Sequence, residues 1–150
     1  SVRAVYLYTA MAMLAFETGD KELAYACEKL WEDIVERKMY VTGGIGSTCI
    51  GEAFTVPFDL SNDQAYTETC ASIGLIFFAN EMLSLKNDAR FADVIERALY
   101  NGVLSGLSLD GQSFFYENPL KFLKNSVFFL FFSFKLLTNL FILCIIDLIN

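Results

Sequence analysis

Glu52 is the first residue in this chain whose type and surroundings suit catalysis. It lies between Gly51 and the pair Ala53-Phe54. Small and aromatic neighbours can exclude water from a carboxyl group and raise its pKa, as a general acid requires. The sequence therefore makes Glu52 a candidate acid/base residue. The alternative is an exposed glutamate in a loop.

Glu68 and Cys70 form a second candidate pair, separated by one residue. On a regular helix they would point to nearly opposite sides. Binding one ion would therefore require residues 66–70 to form a turn or a distorted first helical turn. A thiolate and a carboxylate are both common zinc ligands. The alternative is a buried cysteine beside a glutamate at the start of a helix.

The glycine-rich run at residues 43–47 precedes both candidates. Its spacing matches neither the phosphate-binding P-loop nor the dinucleotide fingerprint, and it lacks the lysine of the P-loop. We interpret these glycines as shaping a loop.

The order of these motifs resembles the beta-L-arabinofuranosidase family of glycoside hydrolases (family 127, formerly DUF1680). The resemblance covers about residues 2–120 and implies part of an (α/α)6 toroid, or barrel, with an arabinofuranoside-type sugar as substrate. It is carried by Gly43-Gly44-Ile45-Gly46-Ser47, Gly51-Glu52-Ala53-Phe54, Glu68-Thr69-Cys70 and Asn118-Pro119-Leu120.

The resemblance also implies roles for individual residues. Glu52 would be the acid/base, Glu68 and Cys70 would bind zinc, and Tyr116 would line the sugar site. Tyr116 could instead be a hairpin residue packed against Phe114. The family's other two zinc ligands are an adjacent Cys-Cys pair after the Asn-Pro-Leu motif, and one of them is the nucleophile.

No Cys-Cys pair follows Leu120 here, and the flanks of Cys144 do not match the family, so neither role is assigned to it. We therefore expect a fragment of a zinc-dependent retaining glycosidase that is inactive and binds zinc weakly on its own. The alternative is a non-catalytic helical interaction module, attached to a membrane through its tail.

Apolar residues at helical spacing predict a mainly α fold. The first helix should span residues 2–18 and end at Gly19, and Asp20 should cap the second. The third should run from Asn62 or Asp63 to about Leu85. The fourth should start at Asp88 and bury one face, formed by Phe91, Val94, Ile95, Ala98 and Leu99.

Two further segments have no helical period. Residues 39–62 carry four glycines and Pro57 and should form a long loop, which in a compact domain is usually functional. Residues 107–116 should form a short β-hairpin turning at Asp110-Gly111, a pair typical of a type I′ turn.

The composition narrows the range of partners. The net charge of −7 argues against binding to a nucleic-acid backbone. The chain contains no histidine, which excludes histidine ligands and histidine acid/base chemistry within it.

The four cysteines show no disulfide framework, so we expect a reducing compartment, the cytoplasm. Cys27 should be buried in the core, and Cys49 should be a free thiol in a loop.

Residues 121–150 differ in composition from the rest. They are rich in Phe, Leu, Ile, Lys and Asn and contain no Ala, Gly, Pro or Arg. We interpret this tail as non-native, the product of a frame shift or of reading into AT-rich sequence. A membrane span over residues 127–146 is the alternative, weakened by Lys135 and Asn139. No signal peptide is visible at the N-terminus, and we expect the chain to start within a longer protein.

Overall fold

A computed structural model describes residues 1–121 and the backbone of Phe131–Ser133. Four helices dominate these residues: α1 (Val2–Thr18), α2 (Lys21–Arg37), α3 (Thr69–Leu85) and α4 (Ala89–Ala98). A π-helical turn (Leu99–Val103) and a 3₁₀ turn (Leu104–Gly106) continue α4. The prediction of a mainly helical fold is confirmed.

The ends of α1, α2 and α4 follow from local residues, as predicted. Gly19 has the left-handed φ of 67° that ends α1. The Asp20 carboxylate accepts hydrogen bonds from the amides of Glu22 and Leu23, both at 3.0 Å, and so caps α2. Asp88 caps α4 in the same way.

The helix α3 lies between α1 and α4 and is buried on nearly all sides. Phe78 is fully buried, and its ring centroid lies 5.7 Å from that of Trp31. Gly74 allows α1 to approach closely, since a β-carbon there would come within 2.6 Å of Val5 Cγ2. The predicted apolar face of α4 contributes Phe91 and Val94 to the same core, and Ala98 to a second buried cluster with Ile73 and Ile76.

The predicted start of α3 is wrong. The helix begins at Thr69 rather than at Asn62 or Asp63. The amide of Thr67 donates to the carbonyl of Gly46 at 2.9 Å, and Thr67 has a φ of +35°, outside the right-handed helical region. Hydrogen bonds to a distant loop therefore replace helical ones just before α3.

Residues 39–62 form the irregular loop that the sequence predicts, interrupted by a 3₁₀ turn at Ile50–Glu52. Its glycine run is buried. Gly43 has a φ of +83°, and a β-carbon there would come within 2.8 Å of the Ala98 amide nitrogen. The loop thus packs closely against the end of α4, which explains a glycine at this position.

The predicted hairpin is only partly correct. The chain does turn before Gly111, whose amide donates to the Ser108 carbonyl at 2.9 Å. Gly111 has a φ of +67°, but Asp110 does not have the positive φ of a type I′ turn. The strand β1 (Ser113–Phe115) pairs with the antiparallel strand β2 (Phe131–Ser133), whereas Leu107 and Phe114 form only an isolated bridge.

Most of the tail lies outside the described residues, which omit 122–130 and 134–150. The predicted membrane span at 127–146 therefore lies largely outside them, as does Cys144. Within the described part of the chain, no helix is long and apolar enough to cross a membrane.

Candidate active site

Glu68 and Cys70 lie on either side of the start of α3. Glu68 has an extended backbone (φ −62°, ψ 144°) and occupies the position just before the helix. The chain therefore changes conformation between the two residues, as a shared site requires. The thiol and the carboxyl lie close enough for each to affect the pKa of the other.

The Glu68 carboxyl group is fully buried. The residue is 0% exposed, and neither oxygen receives a hydrogen bond of normal geometry from the described residues. Burial raises its pKa, and the nearby charge of Glu52 raises it further. Buried carboxylates are normally hydrogen-bonded or paired with a cation, so this one is suited to binding a cation.

The hydroxyl of Tyr116 faces the thiol of Cys70. The Cys70 thiol donates to it across 3.8 Å. Burial raises the pKa of Cys70 to about 11, with a further contribution from the Glu68 charge. Burial also raises the pKa of Tyr116, whose ring meets that of Tyr66 edge-on at 6.1 Å. Without a bound cation, the thiol is therefore neutral at physiological pH.

Glu52 ends the 3₁₀ turn and has a φ of +51°, which is uncommon for a residue other than glycine. Its side chain is 34% exposed and lies 3.8 Å from Arg3 Nη1. Its carbonyl accepts a hydrogen bond from the Ser1 amino group, which also lies near Glu68 and Cys70. The structure thus brings Glu52 to the same region as the other three candidates.

The zinc set that the resemblance implies is only partly represented. Among the described residues, no group of three or more His, Cys, Asp and Glu side chains is close enough to bind a metal ion. Glu68 and Cys70 provide one oxygen donor and one sulfur donor, and zinc accepts both. Glu68 and Cys70 would thus supply two of the four ligands of such a site.

Sequence reasoning missed the residues that hold Tyr116 beside this pair. Thr67, Thr69 and Asn118 bind the segment around Tyr116 to the start of α3. The sequence alone indicates Asn118 only as part of the Asn-Pro-Leu motif, and Thr69 only as the residue between the two candidate ligands. These hydrogen bonds join residues about fifty positions apart in the sequence, and the spacing of apolar residues does not predict such contacts.

The other described cysteines lie elsewhere. Cys27 is fully buried in the core and Cys49 is exposed in the loop, as predicted.

The beta-L-arabinofuranosidase GH127 catalytic domain model matches residues 1–128. The non-reducing end beta-L-arabinofuranosidase of Bifidobacterium longum subsp. longum is 46% identical over 121 residues, which are 81% of this chain and 18% of that protein. The crystal structure of a GH127 beta-L-arabinofuranosidase from Geobacillus stearothermophilus T6 is 57% identical, with a TM-score of 0.81 over 83% of this chain and 20% of that one. A GH127 beta-arabinofuranosidase structure is 52% identical, with a TM-score of 0.77 over 79% and 19%. This chain therefore spans about a fifth of the length of these relatives.

Proposed function

The chain belongs to the GH127 beta-L-arabinofuranosidase catalytic-domain family, and we propose that it forms part of a zinc-dependent retaining glycoside hydrolase acting on beta-L-arabinofuranosides. The observation that carries the metal assignment is the buried carboxyl of Glu68, which accepts no hydrogen bond of normal geometry from the described residues, beside the Cys70 thiol. Bound zinc would stabilise the thiolate form of Cys70 and the ionised form of Glu68.

We assign the acid/base role to Glu52. Its carboxyl is partly exposed at the edge of the buried pair, so that a sugar could reach it. Glu52 would protonate the leaving oxygen and later accept a proton from the attacking water, as in other retaining glycosidases. Tyr116 would contact the sugar or the nucleophile through its hydroxyl.

The nucleophile would come from outside this sequence, since none of its four cysteines is adjacent to another. The chain alone would therefore bind zinc weakly and would not hydrolyse arabinofuranosides. A zinc-bound thiolate must also stay reduced, which supports a cytoplasmic location.

The helices would form part of an (α/α)6 toroid. The helix α1 exposes Leu7, Leu14 and Phe16, each by at least 55%. An apolar surface of this kind is unusual on an isolated domain, and neighbouring helices of the toroid would cover it.

A chimaera tests the proposal, because the chain matches a defined stretch of the Bifidobacterium longum relative. Residues 1–120 replace that stretch, and hydrolysis of a nitrophenyl beta-L-arabinofuranoside is measured together with zinc content. We expect the chimaera to be active and to contain zinc. Glu52→Gln should reduce turnover by about 10²–10⁴-fold while zinc is kept, and Cys70→Ser should reduce both.

Glu17→Gln is the matched control, since Glu17 is exposed near the end of α1. It should leave activity and zinc content unchanged. Full turnover by the Glu52→Gln chimaera would contradict the acid/base assignment, and full zinc content in Cys70→Ser would contradict the ligand assignment. Hydrolysis by residues 1–150 alone would refute the requirement for an external nucleophile.

A further inference from the structure

Thr69 lies between the two proposed ligands in the sequence, and both its backbone amide and its hydroxyl form hydrogen bonds to a distant part of the chain. It is 5% exposed and is the first residue of α3. Its amide donates to the carbonyl of Tyr116 at 2.9 Å, and its hydroxyl donates to the carbonyl of Phe115 at 2.6 Å. Thr69 thus binds two consecutive residues of the segment that carries the Tyr116 hydroxyl.

The first amides of an α-helix have no partner within the helix. No side chain caps α3, and the carbonyl of Tyr116 satisfies the amide of Thr69 instead. The start of α3 is therefore bonded directly to the segment at Tyr116.

Asn118 strengthens the same connection from the other side. Its Nδ2 donates to Thr69 Oγ1 at 3.0 Å and to the carbonyl of Thr67 at 3.1 Å. The Thr67 hydroxyl in turn donates to the Asn118 carbonyl. The Thr69 hydroxyl is the shared member of this network, because it donates to Phe115 and accepts from Asn118.

We propose that Thr69 is a positioning residue whose hydroxyl fixes the Tyr116 side chain over the Cys70 thiol. Glu68 and Cys70 are fixed by the start of α3, and Tyr116 is 46 residues further along the chain. The Thr69 hydroxyl and the neighbouring backbone hydrogen bonds hold residues 67–70 against residues 115–118. The use of this geometry in catalysis rests on the proposed function, whereas the geometry itself does not.

Thr69→Val and Thr69→Ser form a matched pair of variants. Valine keeps the shape of threonine and removes both hydroxyl hydrogen bonds, whereas serine keeps the hydroxyl. The measurement is the rate at which a small methanethiosulfonate reagent labels each cysteine of residues 1–150 at one fixed pH, resolved by peptide mass spectrometry. It needs neither zinc nor substrate, so its outcome is independent of whether the chimaera is active.

Loss of a buried hydrogen bond favours local opening, and we expect Cys70 to label about tenfold faster in Thr69→Val. Thr69→Ser should label at nearly the native rate. Cys27, fully buried in the core, should stay protected in both variants, and exposed Cys49 should label quickly in both. Faster labelling of Cys27 and Cys70 together would mean a purely structural role and would overturn the proposal, as would an unchanged rate at Cys70.

The Tyr116→Ala background tests whether Thr69 acts through Tyr116. If it does, Thr69→Val should add almost nothing to the labelling rate of Cys70 in that background, and an additive effect would contradict the proposal. If Thr69→Val does not fold, Asn118→Ala replaces it, because it removes the donor to Thr69 Oγ1 and leaves Thr69 intact. The same labelling outcomes then support or overturn the proposal.

Discussion

Replacing Glu68 by glutamine should stabilise the metal-free chain while weakening a zinc site. The native carboxyl is fully buried, and neither oxygen accepts a hydrogen bond of normal geometry from the described residues. Glutamine has almost the same shape and no charge. An unsatisfied buried group costs about 1–3 kcal/mol, and more when it is charged. The side-chain amide of the glutamine would also lack some of its hydrogen bonds, which offsets part of this gain. We therefore expect a net gain in unfolding free energy of about 1–2 kcal/mol at pH 8.

The sign of the pH dependence follows from the direction of the pKa shift. Burial, and then the Glu52 charge, raise the pKa of Glu68, while the Ser1 ammonium, Tyr116 and Cys70 lower it by less. In the unfolded chain a glutamate has a pKa of about 4.3. Below that pH the carboxyl is neutral in both states and carries no charge penalty. As the pH rises toward the folded pKa, the unfolded state loses its proton first and native stability is lost. The advantage of Glu68→Gln should therefore be near zero at pH 4 and grow toward pH 8.

Urea denaturation of both proteins at several pH values, with a chelator present, measures this difference. Glu117→Gln is the control, because Glu117 is exposed nearby, and its effect should stay within about 0.5 kcal/mol. In the chimaera, Glu68→Gln should bind zinc at least about tenfold more weakly, because a neutral amide replaces a charged ligand. A Glu68→Gln chain that is less stable than the native one at pH 8, or an advantage equal at pH 4 and pH 8, would refute the reasoning.

Two further predictions concern the side chains of Cys70 and Phe78. The Cys70 thiol has a pKa of about 11 in the folded chain, against about 8.5 unfolded, so the stability from its neutral form is complete below pH 8 and is lost as the pH rises toward 11. The urea midpoint should fall more steeply between pH 8 and 10.5 in the native chain than in Cys70→Ala, and equal slopes would contradict the burial of the thiol. Phe78→Ala should cost about 3–5 kcal/mol in urea denaturation, because the ring is fully buried beside Trp31. Phe16→Ala, at a side chain 55% exposed, should cost less than about 0.5 kcal/mol, and equal losses would show that the burial pattern is wrong.

The helix ends that were predictable from the sequence depend on neighbouring residues. Gly19 ends α1, Asp20 caps α2 and Asp88 caps α4, and each acts on atoms within three residues of itself. The start of α3 depends instead on a bond between Thr67 and Gly46. Asn62 and Asp63 have the residue types of a helix cap, so local propensity placed the start too early.

The strand pairing was unpredictable for a similar reason. The partner of β1 lies in the compositionally biased tail, beyond the local turn at Gly111. At the candidate site, the spacing of Glu68 and Cys70 predicted only that a shared ion would require a turn or a distorted first helical turn at residues 66–70, and α3 does begin between the two residues. The resemblance identified Tyr116, but no periodicity relates it to Cys70. The roles of these residues in catalysis and zinc binding stay predictions.

The separation of Cys70 and Tyr116 along the chain also has a consequence during synthesis. Tyr116 follows Cys70 by 46 residues, so at roughly 5–20 residues per second it leaves the ribosome roughly 2–9 s later. Until then, the tyrosine hydroxyl and the carbonyl that binds the Thr69 amide are both absent from the nascent chain. Oxidants and metal ions therefore have freer access to the Cys70 thiol on the nascent chain than in the folded protein. For a few seconds, until Tyr116 has been synthesised, the Cys70 thiol is therefore more exposed to oxidation and to metal binding.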